Sequence, residues 1–380
     1  AQKSKDPKAA AQAAKAIEAI IRTEHRQESY DRIRYATKSN PIGHGLDRLD
    51  VPKRDDHGSD VLDANGQTTR EILLEVDDIH NAIIERNKTH FHQAADTPFG
   101  QGILMDLVGY SGLSEAASDI VDGLFLDKHS DSTVLPETRQ LILEMAMPAA
   151  ISALKKPIST DISDSDFKDG FKKWKERTST SPSGRHLGLY KAIINDYEAD
   201  EDRVSKDIPP NRTTDILDIL VKMTNLPLRY GFAPTRWCKS ITVMIEKDPG
   251  SPRIERLRII HLFEADYNFV LKQMWARRMV YCGEDNKCFN HQQYGSRPGH
   301  QALDAVHKKT LSYDLARILL VNLAMLDNDA TGCYDRIVIS LAMICALRLG
   351  MPRSAVRMHS RVIANLRYFV KTAHGISDRW

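Results

Sequence analysis

Residues 318–337 join an apolar run directly to a group of carboxylates, and this junction limits the folds that the chain can adopt. The run at 318–326 is rich in branched residues and predicts a buried strand. Asp327 and Asp329 follow at once, so two carboxylates stand at the end of that strand. Buried carboxylates need compensation, and a divalent cation commonly provides it. The alternative is a strand that runs into a solvated acidic turn.

The nine residues 329–337, Asp-Ala-Thr-Gly-Cys-Tyr-Asp-Arg-Ile, form a more specific pattern than two acids alone. They resemble the first catalytic motif of reverse transcriptases of the non-LTR retroelement type. In that family an Asp is followed by four mostly small or polar residues, an aromatic residue, a second Asp, a basic residue and an aliphatic residue. The aromatic residue stands five positions after the metal ligand. This spacing selects Asp329, followed by Tyr334, rather than Asp327, followed by Gly332.

The resemblance implies nucleotidyl transfer with two divalent ions, Mg²⁺ or Mn²⁺, for which carboxylate and backbone oxygens are suitable ligands. It makes Asp329 the catalytic, metal-binding carboxylate and the backbone carbonyl of Ala330 a second ligand. Asp327 shares the strand parity of Asp329 and would lie near the ions without binding them. Tyr334 would lie beneath the sugar of the incoming nucleotide, where its ring excludes a 2′-hydroxyl. The alternative for Tyr334 is a core aromatic residue at a strand–helix junction.

A second block of the resemblance lies upstream. The segment 231–237 contains a Pro-x-x-Trp sequence and precedes an apolar run at 241–245, which Lys247 follows. After a loop with Pro and Gly comes another apolar run, Leu-Arg-Ile-Ile-His-Leu at 257–262. The two runs predict strands and resemble the family's finger hairpin, with Ile in the place of a frequent Pro. There Lys247 and Arg258 would contact the triphosphate; ordinary surface side chains are the alternative.

Two further blocks follow the family's order. The stretch Gln-Tyr-Gly-Ser-Arg-Pro-Gly-His that begins at Gln293 resembles the family's Gln-x-Gly-Phe-Arg-x-Gly block, with Ser in the place of Phe. Gln293, Gly295 and Arg297 would approach the template or the nucleotide, and glycine permits close backbone contact. Residues 180–191 resemble the segment at the entrance of the fingers, where Arg185 would touch template phosphate. A plain turn ahead of a helix is the alternative there.

The family's second and third catalytic motifs, Gly-x-x-x-Gln-Gly and Tyr-x-Asp-Asp, have no counterpart after Tyr334 in this sequence. Residues 368–377 resemble the segment that leads into the second motif. The nearest match to the third, Val76-Asp77-Asp78, lies far upstream. Its apolar spacing predicts a helix with both acids on a solvated face. The chain is therefore expected to be a fragment of a larger polymerase.

Composition and charge favour an intracellular protein with a phosphate-bearing partner. The five cysteines are odd in number and scattered, which favours reduced thiols inside a cell, in the cytoplasm or nucleus. No apolar run approaches the roughly 20 residues of a membrane span, so no membrane partner is expected. The net charge of +2 conceals a segregation: residues 229–279 hold ten basic residues against five acids, and 55–80 hold one against eight. The basic stretch contains the hairpin and suits phosphate; a solvated charged face is the alternative.

Local patterns predict the organisation of the remaining chain. Helices are expected at 138–146 and from a Thr214 cap to a stop at Pro227, and strands only from residue 240 onward. Composition and motifs divide the chain into four expected regions: 1–66, a basic, Ala-rich, partly disordered segment and linker; 67–205, a helical region leading into fingers; 206–303, the fingers with the basic hairpin; and 304–380, the start of the palm with the first catalytic motif, truncated.

The local patterns predict an α+β fold, and the resemblance implies right-hand polymerase fingers and an incomplete palm preceded by a mainly helical N-terminal region. The resemblance implies Mg-dependent DNA synthesis on an RNA template by a retroelement reverse transcriptase. Its expected partners are an RNA template, a DNA primer, deoxynucleoside triphosphates and further domains of a retroelement polyprotein. The alternative is a catalytically inactive, nucleic-acid-binding remnant of the same fold, which the missing third motif favours for these 380 residues.

In a polymerase completed by the two later motifs, Asp329→Asn should abolish DNA synthesis, because an ion at that position loses its carboxylate ligand. Asp327→Asn, the matched control two residues earlier, should leave measurable synthesis. Primer extension on an RNA template with Mg²⁺ measures both. The opposite ranking would mean that the motif is assigned two residues out of register.

Overall fold

Helices and two small β-sheets form the described part of the chain, so the expected α+β class is confirmed. The computed structural model describes residues 46–129, 134–154, 157–174, 182–185, 187–209, 215–326 and 336–379. No helix among these residues combines the length and the apolar character that crossing a bilayer requires.

The helices of the described residues are, in chain order, α1 (Val76–Phe91), α2 (Ile103–Val108), α3 (Glu115–Val121), α4 (Phe125–Lys128), α5 (Pro136–Glu144), α6 (Ala149–Ser152), α7 (Asp164–Lys172), α8 (Leu187–Ser205), α9 (Ile216–Tyr230), α10 (Ala265–Leu271), α11 (Val280–Asp285), α12 (Ala302–Leu319), α13 (Ile339–Arg348) and α14 (Arg353–Ala364). A π-helical segment, Lys272–Met279, joins α10 to α11 without a break, and a 3-10 turn occupies Ile254–Arg256.

The strands are β1 (Leu49–Pro52), β2 (Arg70–Leu73), β3 (Lys239–Glu246), β4 (Leu257–Leu262), β5 (Arg367–Thr372) and β6 (Gly375–Arg379). β1 and β2 form an antiparallel pair in which Leu49 lies opposite Leu73. The other four form one sheet in the order β4-β3-β5-β6. The pairing of β3 with β4 confirms the hairpin that the two apolar runs predict.

Contacts divide the chain into two compact units, and each unit is assembled from separate stretches of sequence. The first contains the described residues up to Ile83, together with Thr242–Ile260 and Val370–Asp378. The second contains Ile84–Ile241 and His261–Phe369. Chain order therefore does not separate the units.

In the first unit, residues 46–66, where the sequence pattern indicates a linker, contain one short strand and several turns. They contain β1, and the prediction that strands begin only at residue 240 is wrong because β1 and β2 precede it. The turn residues close hairpin loops: the Asp63 carboxylate accepts the backbone N–H of Gln67 at 2.9 Å. Arg70 of β2 pairs with Asp50 of β1 at 2.7 Å, so charge links the two short strands.

In the second unit, an aromatic cluster joins α7, α8 and α10. The ring of Phe171 stacks on Tyr190 at 4.5 Å between centroids and on Phe269 at 4.9 Å. Gly170 permits this approach, because a Cβ at that position would lie 2.2 Å from the Phe269 ring. The cluster fixes α7 and α8 against the helix that follows β4.

Two local predictions are confirmed. Helix α5 covers nearly all of the stretch expected at 138–146. Asp77 and Asp78 lie in the first turn of α1, and both are exposed. They therefore lie on a solvated helix face, where acids near a helix N-terminus are favourable.

The apolar run at 318–326 is not a buried strand, and the prediction from its composition is wrong. α12 continues to Leu319, and Leu320 ends it with φ of 53°. Residues 321–326 have no regular structure, and Leu320 and Leu326 are 92% and 94% exposed. A short apolar run does not distinguish a strand from a helix end. A strand also needs a neighbour for its backbone groups, and no strand of the described residues pairs with this run.

The limits predicted for α9 are also wrong. Thr214 lies outside the described residues, and Asp215 caps the helix by accepting the backbone N–H of Asp218 at 2.9 Å. The helix continues through Pro227 to Tyr230 and ends where Gly231 adopts φ of 69°. Proline removes one backbone hydrogen bond, whereas a residue in the left-handed region ends the helical path altogether.

His359 of α14 lies largely buried among aromatic side chains of the second unit. Its Nδ1 is 2.6 Å from the Tyr267 hydroxyl, and its ring centroid is 4.6 Å from that of Trp275. Burial lowers the pKa of His359 to about 4, because apolar surroundings disfavour the imidazolium form. The neutral ring can accept a hydrogen bond from the Tyr267 hydroxyl at Nδ1.

His359 should make the folded state sensitive to acid. The unfolded side chain has an ordinary pKa of 6.5, so protonation below that pH favours unfolding. The contribution of neutral His359 to the free energy of unfolding is complete above pH 6.5. It decreases by about 3 kcal/mol at most as the pH falls toward 4. His359→Gln should remove this part of the pH dependence, whereas His307→Gln, at an exposed position of α12, should retain it. Urea unfolding across this pH range measures the difference, and identical profiles for wild type and His359→Gln would contradict it.

Candidate functional site

The residues predicted to perform the chemistry lie outside the described residues. These are Asp327, Asp329, Ala330 and Tyr334, and their roles stay predictions. Within the described ranges, no group of three or more His, Cys, Asp or Glu residues could hold a metal ion. The metal site expected at Asp329 and Ala330 is therefore untested by the geometry.

The hairpin of β3 and β4 places the two predicted triphosphate contacts on one face. The backbone N–H of Lys247 donates to the carbonyl of Arg256 at 2.9 Å, so these residues lie opposite each other. Side chains alternate along a strand, and Arg258 therefore shares the face of Lys247. Both are exposed, whereas Met244 and Leu257, on the other face, are 3% and 1% exposed.

Lys247 and Arg258 differ from their neighbour Arg256 in having no anionic partner among the described residues. Arg256 pairs with the Asp248 carboxylate at 2.8 Å. Neither Lys247 nor Arg258 forms an ion pair with any described residue. Two unneutralised cations with the same orientation, on a strand pair held by its buried face, are suited to a polyphosphate.

Arg297 is engaged inside its own loop. Its guanidinium forms a two-point ion pair with Glu284, at 2.6 and 2.7 Å, and donates to the carbonyl of Gln293 at 3.0 Å. The side chain is 10% exposed. These contacts close the loop after α11 and leave Gln293 and Gly295 at the surface. The predicted approach of these three residues to template or nucleotide stays a prediction, but Arg297 already has a structural role.

A buried ion cluster connects two of the sequence blocks with the residues that follow β4, and sequence reasoning missed it. The Glu264 side chain is 0% exposed, and one of its oxygens lies 2.7 Å from Arg236. Arg236 also pairs with Asp266, in the first turn of α10. The Glu264 oxygen that faces Arg236, Oε2, also accepts the Ser183 hydroxyl at 2.9 Å, and the other oxygen, Oε1, accepts the Ser183 backbone N–H at 2.8 Å. Each oxygen of this buried carboxylate thus has a donor.

The charges of the cluster shift the pKa of Arg236 and of the neighbouring Tyr190. Burial opposes the charge of Arg236, but the hydrogen bond and negative charge of Asp266, the electrostatic effect of Tyr190 and the hydrogen bond to Glu264 outweigh burial and raise its pKa. Burial and the charge of Asp266 raise the pKa of the Tyr190 hydroxyl, and Arg236 and Arg185 oppose that rise. Arg185 is exposed at the edge of the cluster, which is consistent with either predicted role.

The cluster explains how distant segments of the sequence meet. Ser183 belongs to the block at the entrance of the fingers, Arg236 to the Pro-x-x-Trp block, and Glu264 and Asp266 directly follow β4. The sequence signal for this cluster was the pair of acids, Glu264 and Asp266, that follows an apolar run in an otherwise basic stretch. It did not indicate which base would neutralise them, because that partner lies 28 residues away.

Comparison with known proteins adds no family assignment. No protein-family model matches the chain, and no curated protein is significantly similar to it.

Arg236→Ala should strongly destabilise the second unit, because it leaves the buried Glu264 and Asp266 carboxylates without a cation. Removing one partner of a buried pair typically costs about 3–5 kcal/mol. The matched control is Arg229→Ala, which breaks an exposed pair with Asp161 and should cost about 0–1 kcal/mol. Urea unfolding at neutral pH compares the variants. Equal losses for the two would mean that Glu264 is solvated or neutralised elsewhere.

Proposed function

We propose that this chain is the fingers and the beginning of the palm of a retroelement reverse transcriptase, which synthesises DNA on an RNA template. The observation that carries the proposal is the buried cluster of Ser183, Arg236, Glu264 and Asp266. It joins a segment that resembles the entrance of the fingers, through Ser183, to a segment that resembles the entry to the finger hairpin, through Arg236. Two loops that resembled the family only by chance would not be expected to contact the same carboxylate, as Ser183 and Arg236 do.

The hairpin supports the proposal through its charge. Lys247 and Arg258 share one exposed face and are not neutralised by described residues. In the proposed function they bind the triphosphate of the incoming nucleotide, Arg258 through its planar fork and Lys247 as a compact charge. Met244 and Leu257 hold the opposite face, so the cations are presented from a fixed strand pair.

The remaining steps belong to the motif at 329–337. Asp329 and the Ala330 carbonyl would hold Mg²⁺, whose Lewis acidity would activate the primer hydroxyl and stabilise the leaving pyrophosphate. Tyr334 would exclude the ribose 2′-hydroxyl by contact. Gln293, Gly295 and Arg185 would contact template or nucleotide at the surface. These assignments follow the resemblance and are part of the proposal.

A second candidate is a nucleic-acid-binding protein without polymerase activity. It is favoured by the position of Asp77 and Asp78, which are the nearest sequence match to the third catalytic motif. Both lie on the exposed first turn of α1, where they serve as helix-terminal acids rather than as a strand-turn pair. In this case the binding surfaces keep their roles and no primer is extended.

Nucleotide binding tests the proposal directly. With Mg²⁺ present, Arg258→Ala should weaken binding of a deoxynucleoside triphosphate by roughly 10- to 100-fold, because a charge-assisted contact contributes about 1.5–3 kcal/mol. The matched control is Arg256→Ala, on the same face but already paired with Asp248, and it should change binding little. Titration calorimetry of the full 380-residue chain provides the dissociation constants.

The outcomes separate the candidates. If Arg258→Ala loses RNA binding while its triphosphate binding is unchanged, the hairpin contacts the template rather than the nucleotide. If the chain binds neither a deoxynucleoside triphosphate nor a primed RNA template, the proposal is overturned. Primer extension by a completed polymerase would exclude the second candidate, and binding without extension would support it.

A further inference from the structure

A cavity of about 390 Å³ opens in the second unit beside the start of β3 and the end of α14. Its wall contains three cationic side chains, Lys239, Arg361 and Arg367. Thr235 and Asn365 add neutral hydrogen-bonding groups, and no residue of the wall is acidic. A cavity of this composition is suited to an anion that several donors can contact together.

The cations of this cavity are not neutralised within the described part of the chain. Lys239 and Arg367 are exposed, and neither forms a side-chain hydrogen bond or an ion pair with a described residue. Arg361 donates only to the backbone carbonyl of Gly231, at 3.0 Å. The arrangement is the opposite of the Arg236 cluster, where two carboxylates neutralise one arginine.

The positive charge continues along α14. Arg353, Arg357 and Arg361 stand four residues apart, so they occupy one side of the helix, and α14 contains no acidic residue. Arg357 lies beside Gly231 and has no ion pair with a described residue. Like charges at this spacing oppose helix formation. An unneutralised row of this kind is therefore suited to an external polyanion.

Exposed aromatic side chains adjoin the same place. Tyr230 and Phe232 are 64% and 40% exposed. They flank Gly231, whose carbonyl accepts from Arg361, and the next residue, Ala233, belongs to the wall of the cavity. Basic grooves beside exposed aromatic rings are typical of surfaces that bind single-stranded nucleic acid, because phosphates contact the cations and bases stack on the rings.

We infer that this basic groove, defined by Lys239, Arg357, Arg361 and Arg367, binds the phosphate backbone of a single-stranded nucleic acid without reading its sequence. The inference rests on the proposed function in taking nucleic acid as the partner. It adds a second set of contact residues to Lys247 and Arg258 of the hairpin. The shape suits a continuous strand, since the row of cations extends along α14 beyond the cavity.

The test is the salt dependence of oligonucleotide binding by the full chain. Each phosphate contact to a single strand contributes about 0.7 to the slope of log affinity against log salt. Lys239→Gln/Arg367→Gln should lower that slope by about 1.4. A fourfold rise in salt should then weaken wild-type binding about sevenfold more than binding by the variant. Arg357→Gln should lower the slope further, by about 0.7.

The matched control is Lys222→Gln/Arg317→Gln, which removes the same charge from exposed, ion-paired positions of other helices. It should leave the slope unchanged, and thermal melting should show that all variants are folded. Equal slopes for wild type and Lys239→Gln/Arg367→Gln would overturn the inference, as would an equal effect of the control.

Two further probes distinguish this failure from failure of the proposed function. If Lys247→Gln/Arg258→Gln weakens triphosphate binding while the groove variants leave oligonucleotide binding unchanged, the proposed function stands and the groove is overturned. If the groove variants no longer bind a deoxynucleoside triphosphate but still bind the oligonucleotide, the cavity binds a mononucleotide and the inference is wrong. If wild type binds no nucleic acid, both proposals fail.

Discussion

The neutralisation of Glu264 is the constraint on which the arrangement of the second unit depends. A carboxylate with no solvent exposure is stable only if cations and donors replace its water. Here Arg236 provides the charge and Ser183 provides two hydrogen bonds. Since these residues come from separate segments, the carboxylate brings those segments together. It also marks the point where β4 ends and α10 begins.

The same criterion, whether a charge is neutralised, separates the structural cations from those that we propose bind a ligand. Arg236 and Arg297 have carboxylate partners and side chains that are 27% and 10% exposed. Lys247, Arg258 and Arg361 lie at the surface and have no carboxylate partner among the described residues. Ion pairs of the first kind hold loops and helix starts in place. Cations of the second kind attract phosphate, and both the proposed triphosphate contact and the proposed nucleic-acid groove depend on them.

Local elements were predictable where one periodicity or one terminal signal dominated. The apolar runs that became β3 and β4 are short, rich in branched residues and separated by Pro and Gly, so they were assigned correctly. The run at 318–326 has a similar composition but no strand beside it among the described residues, and most of it is exposed. Composition reports how apolar a segment is, whereas a strand depends on partners that composition does not contain.

For the candidate site, the sequence indicated which residues to consider but not how they are paired. Resemblance and spacing selected Lys247 and Arg258, and strand alternation then placed them on one face. No local pattern indicated that Arg297 would be occupied by Glu284, or that Arg361 and Lys239 would share a cavity. Those pairings join residues far apart in sequence, and their energies depend on distance and burial.

The sequence by itself determined the α+β class, the hairpin, the approximate positions of α1, α5 and α9, and the excess of positive charge between residues 229 and 279. These properties follow from side-chain periodicity and charge, which are local. Only the tertiary structure decided which cations are neutralised and which are available to a ligand. The physical reason is that neutralisation requires an oppositely charged group within a few ångströms, and chain folding alone brings Glu264 to Arg236 while leaving Lys247 and Arg367 without a described anionic partner.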